Sequence, residues 1–286
     1  MVLDLRRPGA RGESGTLRRK LSASISTVVS LLAGICISCT LACMSNLPIL
    51  CYHNIGQGPN QSRFQLLYVS QAKLEWQLWT IRRFGMRGVS IGEGLRELGR
   101  GQKNNLVALT FDDGYADTLT QALPLLMKYG FTATCYLVSD AIGKHNLWDA
   151  AYLQEIKPLM DHEQVQHWLG AGMEIGSHSR SHPKLQDLAD AQAWPEIAES
   201  RDTLRAVYGV PIDHFSYPFG HFADATAELV KRAGYLSAVS LHRGIVRVSD
   251  DHYRLPRVFV NGERGWWKFL LQLATPYENR RRPTPK

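Results

Sequence analysis

The sequence predicts an α/β fold built from parallel strands, on the basis of two observations. Seven short runs rich in β-branched and aromatic residues recur along the chain, with stretches of helical apolar spacing between them. Glycines follow the last apolar residues of these stretches, where helices commonly end. This alternation is typical of parallel strands joined by crossover helices.

The strands are predicted over residues 48–53, 106–111, 131–138, 173–177, 214–218, 235–240 and 255–260. The helices are predicted over residues 70–84, 117–129, 162–170, 190–208 and 223–233, followed by Gly85, Gly130, Gly172, Gly209 and Gly234. Because no long polar linker separates these units, we expect one domain closed into a barrel. The spacing alone leaves a doubly wound open sheet as an alternative.

The composition is that of a globular chain, with 44% hydrophobic and 21% charged residues among 286. These fractions exclude a disordered, collagen-like or disulfide-framework protein. The net charge of +7 lies at the two ends, +4 in residues 1–20 and +3 in residues 278–286. The neutral body offers no basic face to a phosphate backbone, so the sequence predicts no nucleic-acid partner.

The amino-terminal 45 residues have the layout of an export segment. A basic stretch, residues 1–20, precedes twenty mostly apolar residues from Ile25 to Met44. Since basic residues stay on the cytoplasmic side, we predict that residues 1–45 are a cytoplasmic basic leader followed by a signal sequence or membrane anchor. The rest of the chain would then lie across a bacterial inner membrane, either periplasmic or membrane-anchored. Cleavage, retention and lipidation at Cys43 are alternatives that the sequence leaves open.

The folded domain is predicted to span residues 46–278. Residues 279–286 are predicted to be a basic, disordered tail, because they combine a run of charge with two prolines. Only Cys51 and Cys135 fall within the domain, too few for a disulfide framework.

Polar side chains occur at the carboxyl ends of three predicted strands. Asp112 and Asp113 end the run LVALTF, His178 and His182 follow MEIGS, and His53 closes PILCYH. In a barrel of parallel strands these ends lie on one face, so we expect the five side chains to converge.

This combination favours a divalent metal site. Two imidazoles four residues apart and a carboxylate are a three-ligand set for a borderline cation such as zinc, with open positions for water and substrate. Such an ion lowers the pKa of bound water and polarises a carbonyl, so hydrolysis is the expected reaction. Taken singly, each motif is more often a turn or a surface feature, and only the combination at matched strand ends favours the metal site.

The two adjacent carboxylates suit a division of roles. Consecutive side chains on a strand point to opposite faces, so only a distortion just past the strand could direct both Asp112 and Asp113 into one pocket. One would bind the cation, which keeps both carboxylates ionised, and the other would act as a general base.

LTFDDGYADT and, further along the chain, EIGSHSRSHP resemble the polysaccharide deacetylases of carbohydrate esterase family 4, the NodB-like domain. The resemblance covers roughly residues 46–262 and implies a distorted (β/α)7 barrel in a single domain. It implies that Asp112 is the catalytic base and that the metal ligands are Asp113, His178 and His182.

PILCYHNIG resembles the early histidine motif of the branch that deacetylates poly-N-acetylglucosamine exopolysaccharides, which implies that His53 is the general acid. HFSYPFG is similar to that branch's aromatic-Pro-Tyr-Gly motif and implies substrate binding by Tyr217 and Phe219, with the Phe219 backbone N–H on the oxyanion. Phe219 replaces the usual tyrosine. The arginine that orients the catalytic aspartate is absent from its usual place, and Arg257 is its predicted substitute.

The loop 139–161 is expected to shape the substrate groove, with Trp148 and Asp149 as candidates for sugar contacts. The resemblance implies a hydrolase with one divalent cation, zinc before cobalt or nickel, that removes N-acetyl groups from an amino-sugar polysaccharide of the poly-N-acetylglucosamine type. The alternatives are peptidoglycan, a lipid-linked amino sugar or an O-acetyl ester as substrate, or an inactive carbohydrate-binding scaffold. The expected partners are the N-acetylated polysaccharide, the membrane through the amino-terminal segment, and exopolysaccharide export machinery.

Overall fold

The computed structural model describes residues 46–60, 62, 64–101, 105–275 and 277–281. Eight strands within these ranges form one parallel sheet: β1 (Ile49–Tyr52), β2 (Arg87–Val89), β3 (Leu106–Phe111), β4 (Thr134–Leu137), β5 (Glu174–Ser177), β6 (His214–Ser216), β7 (Ser237–Arg243) and β8 (Leu255–Phe259). They pair in the order β1-β8-β7-β6-β5-β4-β3-β2, and β3 pairs again with β1. This second pairing closes seven strands into a barrel, so the predicted barrel is confirmed and the open sheet is excluded.

The seven barrel strands are the seven that the sequence predicts, and β2 is an addition. Val89 of β2 pairs with Ala108 in the first half of β3, whereas β4 pairs with β3 further along, at Thr110. Two-residue strands also occur in the described ranges, at Asn46–Leu47, Asn54–Ile55, Tyr68–Val69 and Val246–Arg247.

The described helices are α1 (Gln71–Arg83), α2 (Ile91–Gly99), α3 (Leu123–Tyr129), α4 (Ala150–Leu153), α5 (His162–Gly170), α6 (Asp190–Tyr208), α7 (Asp224–Arg232) and α8 (Trp266–Ala274). All five predicted helices are present, although a π-helix, Thr118–Ala122, forms the first part of the one that ends in α3. Helices α2, α4 and α8 were not predicted. In α2, Gly92 and Gly94 lower the intrinsic helix propensity, so the sequence pattern does not indicate a helix. The helix begins after Ser90, whose side chain caps it by accepting a hydrogen bond from the Glu93 backbone N–H.

Local sequence sets where the crossover helices begin and end. The side chains of Ser70 and Asp161 accept hydrogen bonds from backbone N–H groups in the first turns of α1 and α5. Gly130 and Gly209 end α3 and α6 in the left-handed conformation, at φ 66° and φ 65°.

The helices pack on the outer face of the barrel through a continuous apolar core. Leu74, Leu78 and Ile81 of α1 are fully buried, as their helical spacing on one face requires. They belong to the same cluster as Leu50 and Leu109, which face outward from β1 and β3. Burial of this apolar surface stabilises the ring of helices on the barrel.

The barrel interior changes from apolar to polar towards the carboxyl ends of the strands. The lower layer comprises buried apolar residues from several strands, including Ile49, Ala108, Val239 and Leu255. Tyr136 belongs to the same cluster, and it fits because Gly176 opposite it has no side chain: a Cβ there would lie 2.6 Å from the Tyr136 ring. Buried polar side chains lie nearer the carboxyl ends, namely Thr110, Ser216 and Arg257.

The carboxyl terminus is held against the barrel as far as the structure describes it. A short 3-10 helix spans Glu278–Arg281, and the buried Glu278 carboxylate accepts two hydrogen bonds from the Arg243 guanidinium, at 2.8 and 3.0 Å. The Asn279 side chain accepts a hydrogen bond from the Ile245 backbone N–H. The predicted disorder is therefore wrong for residues 279–281, and residues 282–286 lie outside the described residues.

The predicted export segment, residues 1–45, also lies outside the described residues. Among the helices that the structure does describe, none has the length and apolar character needed to cross a bilayer.

Candidate active site

The carboxyl ends of β1, β3 and β5 bring the predicted site residues together. Nε2 of His178 and Nε2 of His182 lie 3.4 and 3.3 Å from Oδ1 of Asp113, and Nε2 of His53 lies 4.0 Å from Oδ2 of Asp112. The side chain of His53 is 13% exposed, and the other four are almost fully buried. Residues from distant parts of the chain therefore form one cluster at the face where the strands end.

The backbone just past β3 explains how two adjacent carboxylates reach the same pocket. Asp113 and Gly114 both have left-handed backbone angles, at φ 73° and φ 76°. This turn interrupts the strand alternation that would send Asp113 to the opposite face. Glycine favours this turn, because it adopts the left-handed conformation without strain and a Cβ at position 114 would lie 2.8 Å from Cδ2 of Leu137.

Left-handed residues other than glycine also cluster around the two histidine ligands. Ser179, His182 and Phe219 have φ angles of 67°, 63° and 59°. The Ser179 side chain accepts a hydrogen bond from the His182 backbone N–H, at 3.0 Å, and the Ser179 carbonyl accepts one from Ser200 Oγ. Such conformations cost free energy and persist only where surrounding contacts hold them, which is typical of functional sites.

Asp113, His178 and His182 fit a divalent cation. Ligand atoms about 2.1 Å from one cation lie roughly 3–3.5 Å apart, which matches the separations of their oxygen and nitrogen atoms. Nδ1 of His178 donates a hydrogen bond to the carbonyl of Ser216, at 2.7 Å, so in the neutral ring the lone pair of Nε2 faces Asp113. A lone pair facing a carboxylate is unfavourable without a cation between them.

Electrostatics in the cluster favour the metal-binding forms of Asp113 and His182. Burial alone would raise the pKa of Asp113, but the two imidazoles hold it far below its usual range, so this carboxyl is ionised. Burial lowers the pKa of His182, which keeps its imidazole neutral at pH 7. Burial would lower the pKa of His178, but its hydrogen bond to Asp113 and the charges of Asp112 and Asp113 raise it, so a cation would have to displace a proton from this ring.

Asp112 is held by Arg257 on its inner side. Nη1 of Arg257 donates to Oδ1 at 2.8 Å, Nη2 donates to Oδ2 at 2.6 Å, and Nε donates to the carbonyl of Ser240. Burial would raise the pKa of Asp112, but the guanidinium lowers it to about 2. The structure thus places Arg257, from the last barrel strand, beside Asp112, where the resemblance implies an orienting arginine.

His53 lies on the other side of Asp112, beside an unpredicted neighbour, Cys51. Sγ of Cys51 is 3.6 Å from Oδ2 of Asp112 and 3.9 Å from Nδ1 of His53. Burial raises the pKa of the thiol, which is therefore uncharged, and burial lowers the pKa of His53. Strand alternation is the signal that could have indicated Cys51, because it precedes His53 by two residues on the same face.

Phe219 lies in the site, but Tyr217 does not. The Phe219 ring packs edge-on against His182 with 4.7 Å between centroids. Tyr217 is completely buried, and its hydroxyl donates to the carbonyl of Tyr253 at 2.9 Å. Because Ser216 points inward and donates to Asp112, the next side chain points to the outer core. The prediction that the Tyr217 side chain binds substrate is therefore wrong.

Trp148 and Asp149, the candidates for sugar contacts, make other contacts. The indole of Trp148 stacks on His182, with 4.6 Å between centroids and 22° between planes. The two carboxylate oxygens of Asp149 accept hydrogen bonds from the Tyr115 hydroxyl and the Asn146 amide, at 2.8 and 2.7 Å. Burial and the negative charge of Asp113 raise the pKa of Asp149 to about 7. Trp148 therefore joins the loop 139–161 to His182, and Asp149 joins it to Tyr115.

Known proteins share both the fold and the motif region. The polysaccharide deacetylase family matches residues 99–238, which include Asp112, Asp113, His178 and His182. YxkH of Bacillus subtilis, named after the same family, is 30% identical over 220 residues, covering 76% of this chain and 72% of that protein. The poly-beta-1,6-N-acetyl-D-glucosamine N-deacetylase of Staphylococcus epidermidis is 27% identical over 175 residues, covering 59% of this chain and 58% of that protein. The Streptococcus pyogenes deacetylase PplD, solved in complex with acetate, is 24% identical and superposes with a TM-score of 0.69, covering 81% of this chain and 99% of that chain.

Proposed function

Because the chain belongs to the polysaccharide deacetylase family, and is therefore a deacetylase, we propose that it removes N-acetyl groups from an exopolysaccharide of the poly-N-acetylglucosamine type. The observation that carries the proposal is the buried cluster in which the ligand set of Asp113, His178 and His182 adjoins Asp112 and His53. An inactive binding scaffold would have no use for a base and an acid beside a metal site. The activity named for the Staphylococcus epidermidis relative supports the choice of polymer.

We propose zinc as the cation, with cobalt or nickel as substitutes, because one carboxylate and two imidazoles suit these borderline ions. When bound, the cation lowers the pKa of a water molecule and polarises the acetyl carbonyl. Asp113 supplies its charge to hold the cation, and the hydrogen bond from His178 to Ser216 orients one of the two imidazoles.

Asp112 is the proposed general base. Its pKa of about 2 keeps it ionised at physiological pH, and Arg257 fixes both of its oxygens. A carboxyl with so low a pKa holds a proton only briefly after taking it from the attacking water. Nε2 of His53 lies 4.0 Å from Oδ2 of Asp112, and burial lowers the pKa of its imidazole, which is therefore neutral at pH 7 and free to accept a proton. His53 can therefore take up this proton and deliver it to the departing sugar amine.

Phe219 is the proposed contributor of an oxyanion contact. Its left-handed backbone, at φ 59°, reorients the peptide beside His182, and its backbone N–H is the group that we assign to the developing negative charge. This role needs no side-chain hydroxyl, so it is compatible with phenylalanine at this position.

We propose that residues 1–45 export the domain across a bacterial inner membrane, where it would act with exopolysaccharide export machinery. The basic leader and the apolar run from Ile25 to Met44 support this location. Fusing residues 1–45 to a reporter enzyme that folds only outside the cytoplasm tests the proposal. Reporter activity is expected, and its absence would contradict export.

The activity is tested by measuring acetate and new amines released from β-1,6-linked N-acetylglucosamine oligomers, with and without added zinc, cobalt or nickel. Asp112→Asn should lower turnover by about 10²–10⁴-fold. Asp224→Asn, which changes an exposed carboxylate that pairs with Arg254, is the matched control and should leave turnover unchanged. Peptidoglycan fragments and O-acetylated glycans belong in the same panel, and a preference for either would redirect the substrate proposal. If acetate is released from none of these glycans, the proposed deacetylase activity is contradicted.

A further inference from the structure

The two histidine ligands are held in different ways. Nδ1 of His178 donates to the Ser216 carbonyl, whereas Nδ1 of His182 is buried and has no hydrogen-bond partner among the described residues. A histidine that binds metal usually has its second ring nitrogen fixed by a hydrogen bond, which sets the orientation of the ring. Other contacts must therefore fix the orientation of His182.

Two aromatic rings supply these contacts. Trp148 stacks on the His182 imidazole at 4.6 Å, and Phe219 meets it edge-on at 4.7 Å. Offset stacking and edge contacts are the favourable geometries for such rings. The two rings are inclined at 22° and 65° to the imidazole, so a rotation of His182 about its side-chain bonds would disrupt both contacts.

Trp148 is itself held by the turn that carries Asp113. The next residue, Asp149, accepts a hydrogen bond from Tyr115, which lies two residues after Asp113 in the sequence. The Asn146 amide donates to Asp149, and Asn146 Oδ1 accepts from the Lys157 backbone N–H at 2.6 Å. Trp148 also packs on the buried cluster that contains Tyr68, Tyr115, Val138, Ala141, Leu153 and Leu159. The indole is thus anchored independently of His182 and can act as a fixed wall for it.

We propose that Trp148 is a positioning residue of the metal centre, which holds the His182 imidazole in its ligating orientation in place of the missing hydrogen bond. This inference rests on the proposed function, because it assigns His182 to a metal. In this role Trp148 acts through the His182 ring, which it contacts.

The test compares Trp148→Leu with Trp148→Phe in the full chain. Zinc affinity is measured by competition with a chromophoric chelator, and ligand geometry by the visible absorption of the cobalt-loaded protein. Trp148→Leu should weaken zinc binding by about 10–100-fold and change the cobalt spectrum, the range found when a group that orients a ligand is lost. Trp148→Phe keeps a stacking ring and should restore most of the affinity. Tyr152→Leu, in the same loop and exposed, is the matched control and should bind as the parent does.

A second measurement is independent of metal. In the metal-free protein, the stacked indole should shift the ring-proton NMR signals of His182 upfield, and this shift should disappear in Trp148→Leu but persist in Trp148→Phe. Unchanged zinc affinity and cobalt spectrum in a folded Trp148→Leu protein would overturn the positioning role alone. A parent protein that binds no divalent metal would overturn the proposed function together with this role.

Discussion

At the scale of single residues, the most consequential interaction is the buried pair of Arg257 and Asp112. Arg257 is 1% exposed and Asp112 2% exposed, and the fork of the guanidinium meets both carboxylate oxygens. Taking two charges out of water is costly, so such a pair adds little net stability, but removing one partner leaves an uncompensated charge. The pair therefore matters mainly because it keeps the carboxylate ionised and oriented.

We expect Arg257→Met to lower the free energy of unfolding by about 3–5 kcal/mol, because the Asp112 carboxylate would stay buried without the guanidinium that pairs with it. Arg254→Met is the matched control: Arg254 is exposed and pairs with Asp224 and Asp251, and such surface pairs are worth about 0–1 kcal/mol. Urea denaturation of both variants measures the difference. Equal effects would show that the buried pair has no special role.

Asp149 gives the metal-free protein a pH-dependent stability. Its pKa of about 7 in the folded protein exceeds its usual value, so the folded state binds more protons than the unfolded chain between about pH 4 and pH 7. The contribution to stability is therefore largest at low pH and is lost as pH rises through about 7. As pH rises from about 4 to 7, the free energy of unfolding of Asp149→Asn should increase relative to that of the parent, by on the order of a few kcal/mol at most. Above about pH 7 this difference should stay constant. Denaturation at several pH values after metal removal measures this, and a difference that does not vary with pH would refute it.

At the scale of elements, the site depends on short turns after barrel strands rather than on the strands themselves. The left-handed pair Asp113 and Gly114 directs the Asp113 carboxylate towards the two histidines, while Asp112 stays with Arg257. The left-handed Phe219 follows β6 in the same way and places its ring on His182. These turns convert a regular sheet edge into a pocket.

We expect Gly114→Ala to lower the free energy of unfolding by about 1–2 kcal/mol from the left-handed backbone alone, and by more from the contact with Leu137. Zinc affinity should fall with it, because Asp113 would be displaced. Gly99→Ala, at the exposed end of α2 where a Cβ meets no atom within 4 Å, should instead stabilise by about 0.4–1 kcal/mol. Thermal denaturation and zinc titration distinguish the two variants, and similar behaviour would contradict the role of the turn.

At the scale of the whole molecule, closure of the barrel assembles the site. Tyr52 of β1 pairs with Phe111 of β3, so the residues that follow them, His53 and Asp112, emerge side by side. Because β8 joins β1 on its other edge, Arg257 reaches Asp112 from across the same interior. Backbone hydrogen bonds and apolar packing provide this framework.

Removal of the metal should therefore abolish deacetylation but leave the fold intact. After treatment with a chelator we expect an unchanged far-ultraviolet circular dichroism spectrum and a cooperative thermal transition at a lower Tm, since the loss of a ligand that binds only the folded state destabilises by mass action. Added zinc should restore both activity and Tm. Loss of secondary structure on chelation would instead show that the cation is part of the fold.

Much of this arrangement is predictable from local pattern. The seven barrel strands follow from runs of β-branched and aromatic residues, and the convergence of Asp112, Asp113 and the three histidines follows from their places at strand ends. Two of the missed elements have weak local signals: β2 is three residues long, and α2 contains two interior glycines. The prediction that Tyr217 binds substrate was wrong because a motif identifies residues but not which face of a strand each side chain occupies.

The sequence by itself determined the kinds of element, their order and the set of polar residues at the strand ends, because these depend on spacing and composition within a few neighbouring residues. Only the tertiary structure decided that Arg257 meets Asp112, that Cys51 lies close to Asp112, and that Trp148 stacks on His182. The partners are far apart in sequence, and closure of the barrel or the path of a loop brings them together. Their contacts depend on register and side-chain direction in three dimensions, which no local pattern specifies.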